Sequence, residues 1–537
     1  MLGERRAMSQ ITLSEMHFMK KLGLGIQAFS EFKTNNLIYV DKTEIIHKLI
    51  DDGKYYFLSR PRRFGKSLLV NTIQELFSGN KALFEDCWVY DQWDWEKKNP
   101  VIKLSFSEMS YRKDGLEEAL ELCLAEQAKE HGIRFQTSGY GNRFLELIKT
   151  LGKETPVVVL IDEYDKPIID YLEKSQLQQA DENREILKTL YAGVKDQDRY
   201  LRFFFITGVS KFSKVSIFSD LNHLTDITIN EDCAAITGYT EAEVVTYYRE
   251  YLEVLADKFN ISQEQLLEKI KDWYNGYSWD GNQFLLNPYS VINLLYAKAF
   301  RNFWFETGTP TFLIKHWQES DHKLNRAMNK LVNESEFNKY DIEQINITAV
   351  MFQTGYLTIK AIDHEENKYV LDFPNKEVRD SFLNFAVEHY AESSADEMSY
   401  IVDNLLESLA RNDMGCFFAT LRSLFSSIAV KQLDKVKHYE GFYHSIIYIV
   451  LKILGVRIAC EIQSNFGSTD AVITTDDHIY VLAFKMGKAQ TAIEQIKKRR
   501  YHFPYLTDKR KVILVGFGFE KAERNLVDYA VEAVLES

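Results

Sequence analysis

Cysteine is sparse in this sequence. Cys87, Cys123, Cys233, Cys416 and Cys460 are scattered over 537 positions with no CxxC pair. That spacing excludes a zinc ribbon and a disulfide framework, and fits free thiols in a reducing compartment. There is no excess of positive charge either: 65 Lys and Arg against 78 Asp and Glu leave a net charge of −13. A general basic coat for nucleic acid is thereby excluded, and any such contact has to be a local patch on an acidic body. No apolar run is long enough to span a bilayer. The most apolar late stretch, residues 442–456, is short and carries His444 and Lys452, and residues 1–23 lack the continuous apolar core of a secretory signal. No repeat or low-complexity tract stands out. A cytoplasmic protein with no membrane segment is expected.

What is present is ordinary globular material, 45% apolar and 27% charged, and too long for a single core. Residues 55–59, YYFLS, read as a short buried strand. From Lys66 the period changes: Leu68, Leu69, Thr72, Ile73, Leu76 and Phe77 recur at helical spacing, and Gly79 sits where a C-terminal cap belongs. Further continuous apolar runs occupy 101–106, 157–161 and 201–207, as in strands buried on both faces of a parallel sheet. Residues 1–235 are thus expected to form a doubly wound α/β domain. Residues 236–400 look helical and aromatic, with a capping box at Thr240 and Glu243, a turn-rich stretch at 273–290 and a hairpin-like piece at 355–373. Residues 401–537 return to an α/β pattern.

Between the first strand and its helix stands SRPRRFGKSLLV, residues 59–70. Gly65-Lys66-Ser67 is the second half of a phosphate-binding loop, but Arg60 occupies the position where the pattern wants its first glycine. Such a loop works by aiming main-chain N–H groups inward at a helix N-terminus. Arg63, Phe64, Gly65, Lys66 and Ser67 can supply them. Lys66 is then the ligand of the β and γ phosphates and Ser67 a Mg²⁺ ligand. Arg60, Arg62 and Arg63 add charge near the phosphates or at a partner surface. The plainer alternative is a basic turn before an amphipathic helix.

Two later pieces weigh against that alternative. The buried run at 157–161 ends in Asp162-Glu163, an order in which the aspartate holds Mg²⁺ and the glutamate activates the attacking water. The run at 201–207 ends in Thr207-Gly208, followed by Ser210 and Lys211, which reads equally as a polar sensor of the γ-phosphate or as a plain strand and turn.

Taken together, YVDKTEIIHKLI (39–50), SRPRRFGKSLLV, VVLIDEYDKPI, FFITGVSKFSKVSIFSDLNHLTDIT, WYNGYSWDG, FWFETGTPTFLI and FQTGYLTI resemble the bacterial AAA-ATPase-like proteins. That family carries an RPRRFGKS loop as its own Walker A variant and usually ends in a PD-(D/E)XK nuclease-like domain. The resemblance implies ATP with Mg²⁺ as cofactors. It implies a P-loop domain with a parallel sheet, a helical middle region and a C-terminal α/β restriction-endonuclease-like domain. It places Asp41 and Lys42 near the base or ribose, and Asn222 in a motif of no derived role.

In that nuclease superfamily an Asp on one strand and (D/E)-x-K on the next hold Mg²⁺ and steer the nucleophile. By the resemblance, Glu461 is the upstream acid, Asp470 follows a Gly467-Ser468 turn, and Lys485 is the motif lysine. The chain departs from the pattern at Ala483-Phe484-Lys485, where the family has E-F-K. Asp470 and Glu461 remain as metal ligands, Asp476 and Asp477 fall in a hairpin turn, and KKRR at 497–500 suits phosphates of DNA or RNA. Three readings follow. One is an ATPase whose nucleotide state controls a nuclease-derived, nucleic-acid-binding domain, in defence or mobile-element biology. Another is a non-hydrolysing switch with a partner-binding module. The third is an active Mg²⁺-dependent nuclease. Homo-oligomerisation stays open.

Overall fold

The four apolar runs of the N-terminal part all become strands: β1 (Tyr55–Ser59), β2 (Val101–Ser105), β3 (Val157–Asp162) and β4 (Leu201–Gly208). A two-residue β5 (Thr225–Asp226) completes a parallel sheet in the order β2-β3-β4-β1-β5. Every residue of β1 and β3 is buried, as befits a sheet covered on both faces. The structure is a computed structural model that describes residues 19–173, 175–212, 217–218, 221–304, 331–338, 346–382, 395–426, 457–464, 467–520, 522–523 and 525–534. Residues 1–18, the apolar stretch 442–456 and most of FWFETGTPTFLI lie outside these.

The order of strands matters more than their number. β1 lies between β4 and β5, and β3 lies on the other side of β4, with Ser59 opposite Gly208 and Ile161 opposite Ile206. The carboxyl ends of β1, β3 and β4 therefore share one edge, the place where open α/β sheets take their ligands.

Helix Lys66–Phe77 starts at that edge and lies back on the sheet. Leu69, Val70, Ile73, Leu76 and Phe77 pack into one core with Tyr56, Leu58, Val158, Leu160, Phe203 and Phe205. Each such side chain contributes about 1.5–3 kcal/mol on burial, so the face fixes where the helix begins. The helix stops where Gly79 turns left-handed at φ 74 and returns its N–H to Leu76.

The capping box forms as the sequence implies, with Thr240 and Glu243 bonding reciprocally. Its helix, with Leu252, Leu266, Ile270, Tyr274 and Val291, packs onto Ile38 and Val40 ahead of β1. The boundary suggested near residue 235 accordingly falls inside a unit made of Met1–Phe312 and Asn329–Glu377. The hairpin-like piece is β7 (Thr358–Asp363) with β8 (Lys368–Asp372), antiparallel, extended by β6 (Leu331–Asn333) in the order β6-β8-β7.

A second unit comprises Leu313–Met328 and Val378–Ser537. It holds a mixed sheet of β9 (Arg457–Ser464), β10 (Gly467–Thr474), β11 (His478–Met486), β12 (Lys511–Glu520) and β13 (Asn525–Ala533), in the order β13-β12-β11-β10-β9. Only β11 and β12 run parallel, and helix Ala489–Lys498 is their crossover. It lies against β12 so closely that a Cβ on Gly516 would collide with the carbonyl oxygen of Ala489. Among the described residues no helix is long and apolar enough to cross a membrane.

Main chain on both sides leaves that contact little room to relax. Gly516→Ala is expected to destabilise the second unit by about 1–3 kcal/mol, the usual cost of overpacking. The measurement is urea unfolding followed by circular dichroism, and an unshifted curve would mean that the crossover helix is free to move.

Candidate functional site

The loop after β1 is built outward from strand pairing. Arg60 N–H donates to Gly208 O at 3.1 Å, one residue beyond the β1–β4 ladder. The chain then turns left-handed twice, at Arg63 with φ 63 and at Gly65 with φ 90, and enters the helix at Lys66. The loop carbonyls are held by the protein itself. Lys66 Nζ donates to Arg60 O at 3.0 Å and to Pro61 O at 2.9 Å. Trp304 Nε1 donates to Arg62 O at 3.1 Å, and Gly238 N–H to Phe64 O at 3.3 Å. First-turn N–H groups have no partner within a helix, and among the described residues no side chain caps this one. The result is an open helix N-terminus of the kind that binds phosphate.

Arg60 corrects one expectation. Its side chain is 0% exposed, so it lends no charge to the phosphates or to a surface. The guanidinium donates to the carbonyls of Ser59 and Thr228 at 2.9 and 2.8 Å, reaches those of Cys233 and Ala234, and lies 3.9 Å from the ring centre of Trp279. Burial pulls its pKa down, yet a guanidinium remains a cation at neutral pH. Phe64 is fully buried beside it. Arg62 and Arg63 stay exposed, and Arg63 lies on the face of Tyr289 at 4.0 Å.

Asp162 ends β3 and is 3% exposed. Burial pushes its pKa up, while a hydrogen bond from Ser67 and the nearby Lys66 pull it back. Its Oδ1 has no partner among the described residues. A buried carboxylate oxygen left unpaired beside a serine hydroxyl is an oxygen pair suited to a hard divalent cation, so these residues fit the implied Mg²⁺. Lys66, 5% exposed, has its pKa lowered by burial and raised by Asp162, Glu163 and Asp165. Glu163 holds φ 51, left-handed backbone that a glutamate adopts only when its surroundings impose it.

The third predicted piece does not converge on the loop. Thr207 Oγ1 donates to Leu58 O at 2.8 Å and is fully buried, so its proton belongs to the sheet. Lys211 pairs with Asp226, and Ser210 offers its N–H to Asp165 at 2.5 Å. Asn222 accepts from Lys195 at 3.1 Å. Lys42 meets Glu243 at 2.5 Å and lines a cavity of about 60 Å³ that also touches Gly65, Leu68, Thr72, Thr237 and Tyr239. Asp41 is occupied by the N–H groups of Thr43 and Trp88 at 2.9 and 2.7 Å.

In the second unit the register brings the nuclease-like positions into one row. Thr469 pairs with Ile462 and Ala471 with Cys460, which sets Asp470 opposite Glu461; Ala471 pairs with Leu482, which sets Asp470 beside Ala483. Lys485 follows two residues along β11, on the same face as Ala483. Gly467 and Ser468 belong to β10 rather than to a turn. Asp476 and Asp477 do lie in the turn between β10 and β11. Ala483 is 1% exposed, in a core with Ala492 and Ile493. Among the described side chains no group of three or more His, Cys, Asp or Glu gathers for a metal; those of Glu461 and Asp470 lie outside the described ones. Of the basic run, Lys497 is already paired with Glu532.

Residues 23–218 match the family described as "Predicted AAA-ATPase", and residues 438–529 match the PD-(D/E)XK nuclease superfamily. A protein of Azotobacter chroococcum mcd 1, described as "Uncharacterized protein in vnfD 5'region", is 35% identical over 527 residues. The match covers 96% of this chain and 99% of that one. The chain belongs to the AAA-ATPase-like family. It carries a PD-(D/E)XK nuclease-like domain at its C-terminal end.

Sequence reasoning passed over one carboxylate of this AAA-ATPase-like domain. Asp165, 1% exposed, accepts the N–H groups of Val209 and Ser210 at 3.0 and 2.5 Å and so ties the turn after β3 to the end of β4. A Cβ on Gly208 would collide with its Oδ1. The readable signal is a glycine closing a buried strand opposite an acidic turn.

Burial raises Asp165 to about 6, against the N–H bonds that lower it. A carboxyl raised on folding binds its proton more tightly in the native state, so its contribution to stability falls as pH rises from about 4 to about 6. Asp165→Asn is expected to lack that decline. The check is the difference between parent and variant in thermal unfolding across pH 4–7, and parallel curves would show that Asp165 does not titrate in this window.

Proposed function

We propose that this AAA-ATPase-like protein binds and hydrolyses ATP at the loop of residues 60–67, and that its nucleotide state governs nucleic-acid contact by the nuclease-like domain. One observation carries the reading. Beside the uncapped helix N-terminus at Lys66 stands a buried carboxylate, Asp162, which takes a hydrogen bond from Ser67 and keeps its Oδ1 without a partner among the described residues.

The work of the chain's own residues follows from their places. Main-chain N–H groups of Arg63 to Ser67 take the phosphate oxygens. Lys66 exchanges the carbonyls of Arg60 and Pro61 for the β and γ phosphates, and an anion repays the burial of its charge. Ser67 and Asp162 hold the cation. When bound, Mg²⁺ neutralises phosphate charge and aligns the terminal phosphoryl group for in-line attack. Glu163, next to Asp162 and partly exposed, orients the attacking water and takes its proton.

In the nuclease-like domain Ala483 stands where the motif acid belongs, which favours contact with nucleic acid over its cleavage. Asp470, Glu461 and Lys485 remain as the site's other members, and Lys498, Arg499 and Arg500 offer cations to phosphates, in a contact that weakens steeply with salt. A defence or mobile-element setting suits such a pairing of domains.

Lys66→Ala is expected to abolish ATP binding in calorimetry with the fold intact by circular dichroism; retained binding would refute the site. Glu163→Gln is expected to keep ATP bound while turnover falls about 10²-fold or more, the usual effect of removing a general base. Equal turnover in variant and parent would remove Glu163 from the mechanism, and no turnover in either would favour the non-hydrolysing switch.

The chain as it stands is expected to show little or no Mg²⁺-dependent nuclease activity. Ala483→Glu places a carboxylate in an apolar core, so the variant should melt lower without Mg²⁺ and regain stability with it. It should also cut DNA or RNA in a manner that Asp470→Ala removes. Cleavage by the parent that survives Asp470→Ala would place the nuclease site elsewhere.

A further inference from the structure

The motif WYNGYSWDG takes no part in the functions assigned so far, yet it meets the phosphate loop at two consecutive anchors. The Arg60 guanidinium lies on Trp279 at 3.9 Å. Phe64 is wedged edge-on between Tyr277 and Trp279, with ring centres 4.9 and 5.1 Å away. A Cβ on Gly238 would come within 2.7 Å of the Phe64 ring, so the opposite wall is closed as well. The turn that presents Trp279 is itself fixed. Ser278 N–H donates to Thr358 Oγ1 at 2.7 Å, and that hydroxyl donates back to Ser278 O at 2.9 Å, on β7. Asp280, buried, accepts from Ser278 Oγ and from the N–H groups of Asn282 and Gln283.

In ordinary phosphate loops the first glycine lets the chain curl at its entrance. Here the entrance is straightened by Arg60-Pro61, and something else has to hold the cradle's shape. Were packing alone the requirement, an apolar side chain at position 60 would be cheaper than a buried cation. A guanidinium can do what an apolar group cannot, namely hold main-chain carbonyls and an aromatic face at once.

We propose that Trp279 is a positioning residue of the phosphate loop, acting through Arg60 and Phe64 to fix the loop in the shape that receives the triphosphate. This deepens the ATP reading and rests on it for its effect on binding, but the effect on the loop itself is independent of nucleotide.

Two exposed arginines provide a direct readout. Trypsin can cut at Arg62–Arg63 and Arg63–Phe64 only when the loop opens, whereas Arg60–Pro61 resists it. Loss of the tryptophan face removes one cation–π contact and one aromatic pair with the loop, together worth about a factor of ten or more in the closed-to-open equilibrium. Trp279→Ala is therefore expected to speed nicking at these two bonds at least about tenfold in the nucleotide-free protein, and to weaken ATP binding by a similar factor. Cleavage at other lysines and arginines should stay unchanged. Trp279→Phe, which keeps an aromatic face, should recover most of both. Unchanged nicking in Trp279→Ala overturns the proposal, and so does cleavage that rises equally throughout the chain. Loop-specific nicking in a protein that binds no ATP in any form keeps the clamp and overturns the ATP reading instead.

Discussion

A guanidinium buried at the end of a β-strand is the constraint on which the first unit depends. Arg60 is held by carbonyls on three separate stretches of chain and by the face of Trp279. It therefore joins β1 to residues 228–234 and to the aromatic turn in a single contact set. Its Nε has no partner among the described residues, so the four carbonyls and the face of Trp279 have to compensate for burying the charge. The direction in which the chain leaves β1, and with it the axis of the helix beginning at Lys66, follows from it. Asp165 plays the matching part on the neighbouring strands. The two groups, one cationic and one acidic, brace opposite sides of the same sheet edge.

Much of this was readable from residues alone, for identifiable reasons. The parallel strands were legible because runs such as VVVLI have no polar alternation, and the capping box because Thr240 and Glu243 stand three apart. Asp162 closes a buried strand, as the run VVVLI implies. At the third strand end two readings stood side by side, and the Thr207 hydroxyl bonds to Leu58 O within the sheet, as in a plain strand and turn. Arg60 was misread. Sequence assigns an arginine beside phosphate-binding residues to the surface or the ligand, and only Trp279, more than two hundred positions later, turns it inward. Such long-range pairing leaves no local signature.

The nuclease-like half shows the opposite case, where the fold keeps the frame and the chemistry departs. Register alone aligns Glu461, Asp470 and position 483 across three strands and puts Lys485 on the same face. Ala483 then completes a small-residue seam with Ala492 and Gly516, against which the crossover helix sits. The Ala483 side chain is part of the packing. The same geometry explains how a strand can lose its acid without losing its place in the sheet.

The loop's dependence on distant residues also sets an order of assembly. Its phosphate-binding residues end at position 67, but Trp279, Trp304 and the β7 residue Thr358 come far later. A nascent chain that has emerged from the ribosome only as far as β4 carries the whole loop but not the aromatic residues that pack against it. Contacts of such sequence separation close late in folding. The loop of residues 60–67 therefore gains its full set of packing contacts only after most of the first unit has been synthesised.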